Sequence, residues 1–406
     1  MSARRAATLL VVAALTGCTG GAPAGPAGAL PDLGAFPGPP GGDRLLVLTD
    51  DGALVTVAPD GSDLTSLALA RGLEVEVRQP VWSPDGHSVA WAELELGEDA
   101  PTSRLVTSAG DGSGRTEYPV ETLTFFLQWD PTSSRVAYLG SLPENIGFGV
   151  AGPDEDGTPV ATTLGRGQPF YLSWAPSGRR LLIHVGTGTL ATIDLEGNTR
   201  DLGERPGTFQ APVWLDDGSM VYATSRRGAQ ELVIRGHGGR ARELVTFDGA
   251  IEFVVSPDLR RIAYRVVDGS GLGGVSVVDV RTGRVRTATE TPTSVFLWSP
   301  AGRRLLLMTF EPENGRPTHR WRVWDGERAT PIGPIFQPSP AFLTQYAPFY
   351  GQYDQTMTLW SPDGRSFAYP GLIGDRAGIW VQELDAEGPD FVLDGGSVVA
   401  WSPAPD

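Results

Sequence analysis

The chain has 406 residues, of which 40% are hydrophobic and 20% are charged, a composition typical of a folded protein rather than a disordered one. All 32 basic residues are Arg, so chemistry that requires a lysine, such as Schiff-base formation or the phosphate contact of a Walker loop, is excluded. The 48 acidic residues bring the formal charge to −16. This charge argues against a nucleic-acid partner, because binding to a phosphate backbone requires clustered positive charge.

The first 17 residues have the features of a secretory signal peptide. Two Arg residues precede an apolar run that ends at Leu15 and is about half as long as a membrane-spanning helix requires. Leu15-Thr16-Gly17-Cys18 also resembles the lipobox of bacterial lipoproteins, in which the Cys is lipidated and becomes the first mature residue. We therefore expect removal of residues 1–17, a lipid anchor at Cys18 and an extracytoplasmic, membrane-attached protein. Ordinary secretory cleavage with an unmodified Cys18 is the alternative.

Residues 18–43 are rich in Gly, Ala and Pro and have too little apolar periodicity to fold. They are predicted to be a tether with a root-mean-square span of roughly 25–30 Å. The folded part is then residues 44–406, and a tether of this length lets it stand clear of a lipid surface.

From Arg44 onward the sequence repeats. One equivalent position recurs at intervals of 40 to 47 residues, with a single interval of 62, and is occupied by Trp82, Trp129, Trp174, Trp214, Val255, Trp298, Trp360 and Trp401. A turn such as Ser-Pro-Asp-Gly follows each copy, and these residues favour a type I β-turn. Four short strands per copy, at this period, are typical of the blades of an all-β protein, the β-propeller.

The Trp-Ser-Pro-Asp-Gly repeats resemble those of TolB-like propellers, and the resemblance covers residues 44–406. It implies a β-propeller that binds protein partners in the bacterial cell envelope.

The two ends of the repeat region are complementary. Residues 44–70 contain three strand-like segments without a first strand, whereas residues 397–402 form a first strand without the rest of a blade. Pairing of these segments would complete a blade and cover two exposed strand edges. We therefore predict an eight-bladed β-propeller closed by its N- and C-terminal strands, with seven blades and a stray terminal strand as the alternative.

The 62-residue interval is produced by residues 334–356, which we call the insert. It is rich in aromatic residues and nearly free of charge: Phe336, Phe342, Tyr346, Phe349, Tyr350 and Tyr353. Aromatic side chains supply much of the binding energy at interfaces, so these residues, with Arg320 from a neighbouring loop, are predicted to bind a partner. The alternative is that the aromatic side chains plug the central channel.

Other motifs are weaker. Residues 269–274 match Gly-x-Gly-x-x-Gly but precede a strand-like segment, whereas a phosphate site of this type requires a helix. Four His residues fall at non-equivalent positions in the repeats, and no catalytic motif is found, so no metal, cofactor or catalytic residue is predicted.

These patterns favour a non-catalytic scaffold that binds a protein or another ligand in the cell envelope. A propeller enzyme, a hydrolase or lyase acting on glycans or peptides, is the alternative.

Overall fold

The computed structural model describes residues 43–403 except 70–71, 73, 97–99, 168–169, 209, 227, 237, 268–271 and 352–356. The predicted signal peptide, Cys18 and nearly all of the predicted tether lie outside these residues. Within them the fold is all-β, with two short helical segments in the insert: a π-helical turn at Phe342–Tyr346 and a 3₁₀ turn at Ala347–Phe349. No helix in the described ranges has the length and hydropathy that a bilayer crossing demands.

The strands are short and follow one another closely along the chain. The first fifteen are β1 (Leu45–Thr49), β2 (Leu54–Val57), β3 (Thr65–Ala68), β4 (Val75–Trp82), β5 (Ser88–Glu95), β6 (Thr102–Ala109), β7 (Thr116–Val120), β8 (Leu123–Trp129), β9 (Val136–Ser141), β10 (Ile146–Pro153), β11 (Pro159–Gly167), β12 (Phe170–Trp174), β13 (Arg180–Val185), β14 (Thr189–Asp194) and β15 (Thr199–Asp201). The others are β16 (Val213–Trp214), β17 (Met220–Arg226), β18 (Ala229–Arg235), β19 (Ala241–Phe247), β20 (Ala250–Val255), β21 (Arg261–Val267), β22 (Val275–Asp279), β23 (Val285–Thr289), β24 (Thr293–Trp298), β25 (Leu305–Phe310), β26 (His319–Trp324), β27 (Ala329–Pro338), β28 (Ser366–Ile373), β29 (Arg376–Glu383), β30 (Asp390–Asp394) and β31 (Gly396–Trp401).

These strands form antiparallel sheets in which sequence neighbours pair. Five four-stranded sheets have the orders β4-β5-β6-β7, β8-β9-β10-β11, β12-β13-β14-β15, β16-β17-β18-β19 and β20-β21-β22-β23. A seven-stranded sheet runs from β24 to β30 without a break. The strand that ends at the repeat Trp or Val lies at one edge of each four-stranded sheet, and we call it the first strand.

One further sheet combines the two ends of the folded region, in the order β3-β2-β1-β31. Leu45 of β1 lies opposite Trp401 of β31, and Val47 lies opposite Val399. All six residues of β31 are buried, so this strand is part of the core.

The repeat tryptophans connect neighbouring repeats. In five copies the indole N–H donates, over 3.1–3.4 Å, to the carbonyl one residue before the repeat position of the adjacent repeat: Trp82 to Ala400, Trp129 to Val81, Trp174 to Gln128, Trp298 to Val254 and Trp360 to Leu297. Trp401 instead donates to Oδ1 of Asp43 (2.7 Å), and the ring of Trp214 is only half-buried. A first strand has one edge without a strand partner, so some of its backbone carbonyls lack a bond within the sheet. Each indole N–H donates to one such carbonyl in the adjacent first strand.

The turn after each tryptophan is held by its own side chains. Ser83 Oγ accepts from the backbone N–H of Ser88 (2.9 Å), and Asp85 Oδ1 accepts from that of His87 (3.0 Å). The same serine bond recurs at Ser256, Ser299 and Ser361. These bonds explain why Ser and Asp recur at these two positions of the repeat.

The seven-stranded sheet arises because the insert interrupts a first strand. β27 ends by pairing Pro338 with Gly371 of β28. The chain pairs with β28 again at Trp360, which lies opposite Phe367. Residues 334–338, predicted as the start of a long loop, are therefore strand. The insert leaves the sheet after Pro338.

A smaller interruption occurs in the sheet of β16. Pro206 pairs with Thr224 of β17 before the chain departs, and pairing with the same strand resumes at Val213, opposite Val221. Between Gly207 and Val213 the chain thus makes a second, shorter departure from a first strand, of which residues 208 and 210–212 are described.

Candidate functional site

The insert folds over the first strands, and its contacts extend from near the start of β31 to the middle of β4, β8 and β24. Its contacts reach five of them. Two are hydrogen bonds near its start: Ser339 Oγ donates to Ser397 O in β31, and Gln79 Nε2 in β4 donates to Gln345 O (3.3 Å). The Phe349 ring packs on Phe125 and Phe126 in β8, whereas Tyr350 packs on Phe296 in β24 and donates to Glu252 in β20. In a β-propeller the first strands surround a central channel. The insert thus covers the end of the channel at which those strands begin.

Three of the aromatic residues predicted to bind a partner are buried in this arrangement. Phe342, Tyr346 and Tyr350 are 1%, 0% and 4% exposed. The rings of Phe342 and Tyr346 stack with centroids 4.8 Å apart, and Tyr346 Oη donates to the carbonyl of Met357 (2.8 Å). Because buried side chains cannot meet a partner without unfolding, their position favours the plug interpretation. Phe349 is half-buried.

The remaining predicted residues lie elsewhere or outside the described ranges. Phe336 is buried within β27, and Arg320 in β26 donates to Gly333 O (3.2 Å) and pairs with Glu311 (3.3 Å). Both side chains are engaged within their own sheet. Tyr353 falls among the residues that the structure does not describe.

The outer surface of the insert carries side chains that composition did not single out. Leu343 is 39% exposed, and Pro340, Thr344 and Pro348 are also exposed. Three more exposed leucines lie at the same end of the fold, where second strands end and first strands begin: Leu69, Leu96 and Leu272. This end of the fold therefore presents apolar side chains to solvent.

An ion pair between buried Arg265 and partly exposed Glu252 supports the inner side of the insert. Arg265, 3% exposed at its side chain, donates to Oε2 of Glu252 and to the carbonyl of Thr293. Tyr350 Oη also donates to Oε2 of Glu252, over 3.3 Å. Burial raises the pKa of Tyr350 well above its usual range, and the charge of Glu252 contributes to the shift. The phenol therefore stays protonated and remains a donor.

A cavity of about 50 Å³ lies beside this ion pair. The insert contributes Pro348 to Gly351, the departure at 208–212 contributes Gln210 and Ala211, and Tyr171, Glu252 and Phe253 complete the lining. Burial raises the pKa of Tyr171 to about 12, and the charge of Glu252 acts in the same direction. The cavity is thus a place where both interrupted first strands, one carboxylate and several aromatic residues meet.

A hydroxyl and an imidazole also lie close together, as in some hydrolytic sites. Ser294 Oγ is 3.0 Å from Nε2 of His319, which is buried beside the rings of Phe310 and Phe336. Nδ1 of His319 has no hydrogen-bond partner among the described residues, and burial lowers the pKa of this imidazole to about 4. A buried N–H without a partner costs more than a buried lone pair, so the proton favours Nε2, where it is donated to the serine. In that tautomer the imidazole does not activate the hydroxyl.

Among the residues that the structure describes, no three His, Cys, Asp or Glu side chains are grouped so that they could hold a metal ion. His184 and His319 lie in different sheets, and His87 is exposed in a tight turn. His237 lies outside the described residues. In the Gly-rich motif at 269–274, residues 269–271 also lie outside them, and strand β22 follows at Val275.

No protein-family profile and no curated protein matches the chain. Solved structures do match. A crystal structure of a eukaryotic initiation factor is 12% identical with a TM-score of 0.55, over 89% of this chain and 99% of the other. The β-propeller domain of the Trilobed protease from Pyrococcus furiosus, described as having an open velcro topology, is 14% identical with a TM-score of 0.50, over 79% and 98%. TolB from Acinetobacter baumannii is 17% identical with a TM-score of 0.39, over 81% and 82%. The similarity to the Trilobed protease domain, together with the consecutive four-stranded antiparallel sheets, assigns the chain to the β-propeller fold.

The cavity was not anticipated from the sequence. Tyr171, Gln210 and Glu252 belong to three different repeats and carry no shared motif. One signal was present: the 204–212 region, Glu-Arg-Pro-Gly-Thr-Phe-Gln-Ala-Pro, is Pro- and Gly-containing where other copies are strand-like, and such breaks mark departures from a sheet.

Proposed function

We propose that the chain is an exported, lipid-anchored, eight-bladed β-propeller that acts as a non-catalytic binding scaffold in the cell envelope. The observation that carries this proposal is the position of the insert. Side chains of several blades converge at the mouth of the channel, and there the insert places its own aromatic residues. The result is a fixed surface suited to recognition.

Eight blades follow from dividing the seven-stranded sheet at the insert. β24–β27 then form one blade, and the segment around Trp360 with β28–β30 forms the next. With the five other consecutive sheets and the β3-β2-β1-β31 sheet, the number of blades is eight.

Two contacts support closure of the ring between the last blade and the first. The Trp82 indole reaches Ala400 O, the same bond that links consecutive blades elsewhere. Gly86, in the turn after Trp82, also lies so close to the chain end that a Cβ placed on it would be 2.4 Å from Pro403 O. The turns of the first and last blades therefore pack against each other.

The proposed working surface is the outer side of the insert together with the neighbouring exposed leucines. Leu343 and Pro348 are its central exposed apolar residues. The buried Phe342, Tyr346 and Tyr350 hold this surface in place from below. This division of roles combines the plug and the binding surface that the sequence left as alternatives.

The chain enters the fold at Asp43, which bonds to Trp401 at the end of β31, whereas the insert contacts Ser397 near the start of that strand. The entry point and the insert therefore lie toward opposite ends of the fold. A protein partner or soluble ligand is the proposed occupant of the surface that the insert forms.

The test uses full-length protein expressed in its bacterial host, followed by membrane fractionation and chemical cross-linking. Cys18→Ser should move the protein to the soluble exported fraction. A Leu343→Asp, Pro348→Asp double variant should lose its cross-linked partner, whereas a Val160→Asp, Val285→Asp control, exposed at the other end, should retain it. Membrane attachment of the Cys18 variant in high salt would contradict the anchor, and equal cross-linking by both double variants would contradict the working surface.

A further inference from the structure

We propose that the cavity between the insert and residues 208–212 binds an alkylammonium group, such as the end of a lysine side chain. This builds on the proposed binding function by assigning one ligand chemistry to the insert end of the fold. Four observations lead to it: the charge of the cavity, its size, its aromatic lining and the absence of lysine from the chain.

The charge comes from Glu252. Its Oε2 accepts hydrogen bonds from Arg265 and Tyr350, whereas its Oε1 accepts none from the described residues. The carboxylate side chain is 38% exposed, so it is accessible from the cavity side while it is anchored from behind by Arg265. An oxygen held in this way favours a ligand that donates N–H bonds and carries positive charge.

The pKa values of Tyr171 and Tyr350 also indicate a negative potential in the cavity. The charge of Glu252 contributes to raising the pKa of both Tyr171 and Tyr350, so its negative potential reaches both rings in spite of Arg265. An anionic ligand would have to overcome the same potential.

The size restricts the cation. A volume of about 50 Å³ is about a third of the roughly 150 Å³ of an engineered cavity that binds benzene, so only a small group fits. An ammonium group with one or two methylene groups fits this space. A planar guanidinium with its flanking carbon atoms, or any ring, is larger.

The lining suits a cation that is partly stripped of water. Tyr171, Phe349 and Tyr350 all border the cavity. The faces of such rings attract ammonium groups, and the attraction is stronger where water is excluded.

No side chain of this protein carries a primary amine that could occupy the cavity. The chain contains no lysine, and Arg265, the nearby cation, is already bonded to Glu252 and Thr293. A ligand amine must therefore come from outside, either from a lysine of a partner protein or from a free diamine.

The experiment is a calorimetric titration of purified protein at constant ionic strength. The probes are Nα-acetyl-lysine methylamide, the same compound acetylated on Nζ, and cadaverine as a free diamine. We expect the lysine derivative to bind with a Kd in the millimolar range and its acetylated form to show at least tenfold weaker binding. Stronger binding of cadaverine would identify a free diamine as the source of the amine, whereas preference for the lysine derivative would identify a protein side chain.

Two variants and one control locate the site. Glu252→Gln should weaken binding at least tenfold, whereas Glu290→Gln, at an exposed glutamate of the same end, should leave it unchanged. Glu252→Gln also removes the charged partner of buried Arg265, so Gly351→Ala is the second variant. Its added Cβ would lie 3.4 Å from Phe253 O, the one described atom within 4 Å, and would reduce the free volume. It should weaken binding several-fold with an unchanged melting temperature.

Equal binding of the free and acetylated probes, or no binding of either amine, would overturn the proposal. So would full affinity in both Glu252→Gln and Gly351→Ala. Because the assay uses defined probes and purified protein, these results are independent of whether cross-linking detects a partner at Leu343 and Pro348.

Discussion

The repeat tryptophans and the aromatic residues of the insert are both mostly buried, but they are buried for different reasons. Five tryptophans make one and the same bond, from the indole N–H to a carbonyl of the neighbouring repeat. The insert aromatics each make a different contact, as Tyr346 does with Met357 and Tyr350 with Glu252 and Phe296. A repeated contact leaves a periodic signal in the sequence, and a single contact does not.

Loss of β31 should have the largest effect. Deleting residues 396–406 removes a fully buried first strand and exposes the edge of β1. We expect this truncation to lose most of its folded population, because several buried apolar side chains of the core lose their partners together. Circular dichroism and urea titration would measure the loss. A truncation that ends after Pro403 is the control, and cooperative melting of the longer deletion at the control temperature would contradict closure of the ring by this strand.

The β-propeller fold could be predicted because its determinants are periodic. The spacing of Trp82, Trp129 and Trp174, with a turn after each, was sufficient to indicate four-stranded sheets of this fold. The predicted pairing of residues 44–70 with 397–402 was also informative, since β1 and β31 lie side by side.

The candidate site could be predicted only in part. Aromatic composition pointed to the insert, but it could not distinguish exposed from buried residues, and it passed over Leu343 altogether. Burial is decided by which strands meet the insert, and Gln79, Phe126 and Glu252 are each more than 90 residues in sequence from the insert residue that they contact. Contacts of this kind leave no local pattern.

Removing a single insert ring should have the next largest effect. Tyr346→Ala deletes a side chain that is 0% exposed, stacked on Phe342 and bonded to Met357 O. We expect a decrease of about 3–5 kcal/mol in the free energy of unfolding, the usual cost of truncating a buried aromatic residue. Leu343→Ala, on the same helical turn but 39% exposed, should change it by less than about 0.5 kcal/mol. Similar losses for the two variants in urea titrations would show that the insert does not pack as a plug.

The stability of the repeat region should also depend on pH through His319. Burial lowers the pKa of this imidazole to about 4, whereas the unfolded chain takes up a proton near 6.5. The unfolded state therefore binds more protons between these values, and the contribution of His319 is lost progressively as the pH falls from about 6.5 to 4, by up to about 3 kcal/mol.

Replacing the imidazole isolates this contribution from that of the carboxylates. The free energy of unfolding of His319→Gln should decrease less than that of the wild type between pH 7 and pH 4.5, with His87→Gln as the control for an exposed imidazole. Parallel pH profiles for His319→Gln and the wild type would contradict a neutral, buried His319.

The smallest effect concerns the repeated bond itself. Trp360→Phe keeps a buried ring but removes the N–H that donates to Leu297 O (3.3 Å), so one carbonyl on the open edge of a first strand loses its partner. We expect a loss of about 1–3 kcal/mol in the free energy of unfolding, the cost of a buried polar group left unsatisfied. Trp214→Phe is the matched variant, because its half-buried ring makes no such bond among the described residues, and it should cost less. Equal losses for the two variants in urea titrations would show that the tryptophans stabilise the fold only by filling space. The periodicity of the repeat would then reflect the size of the indole side chain rather than its N–H.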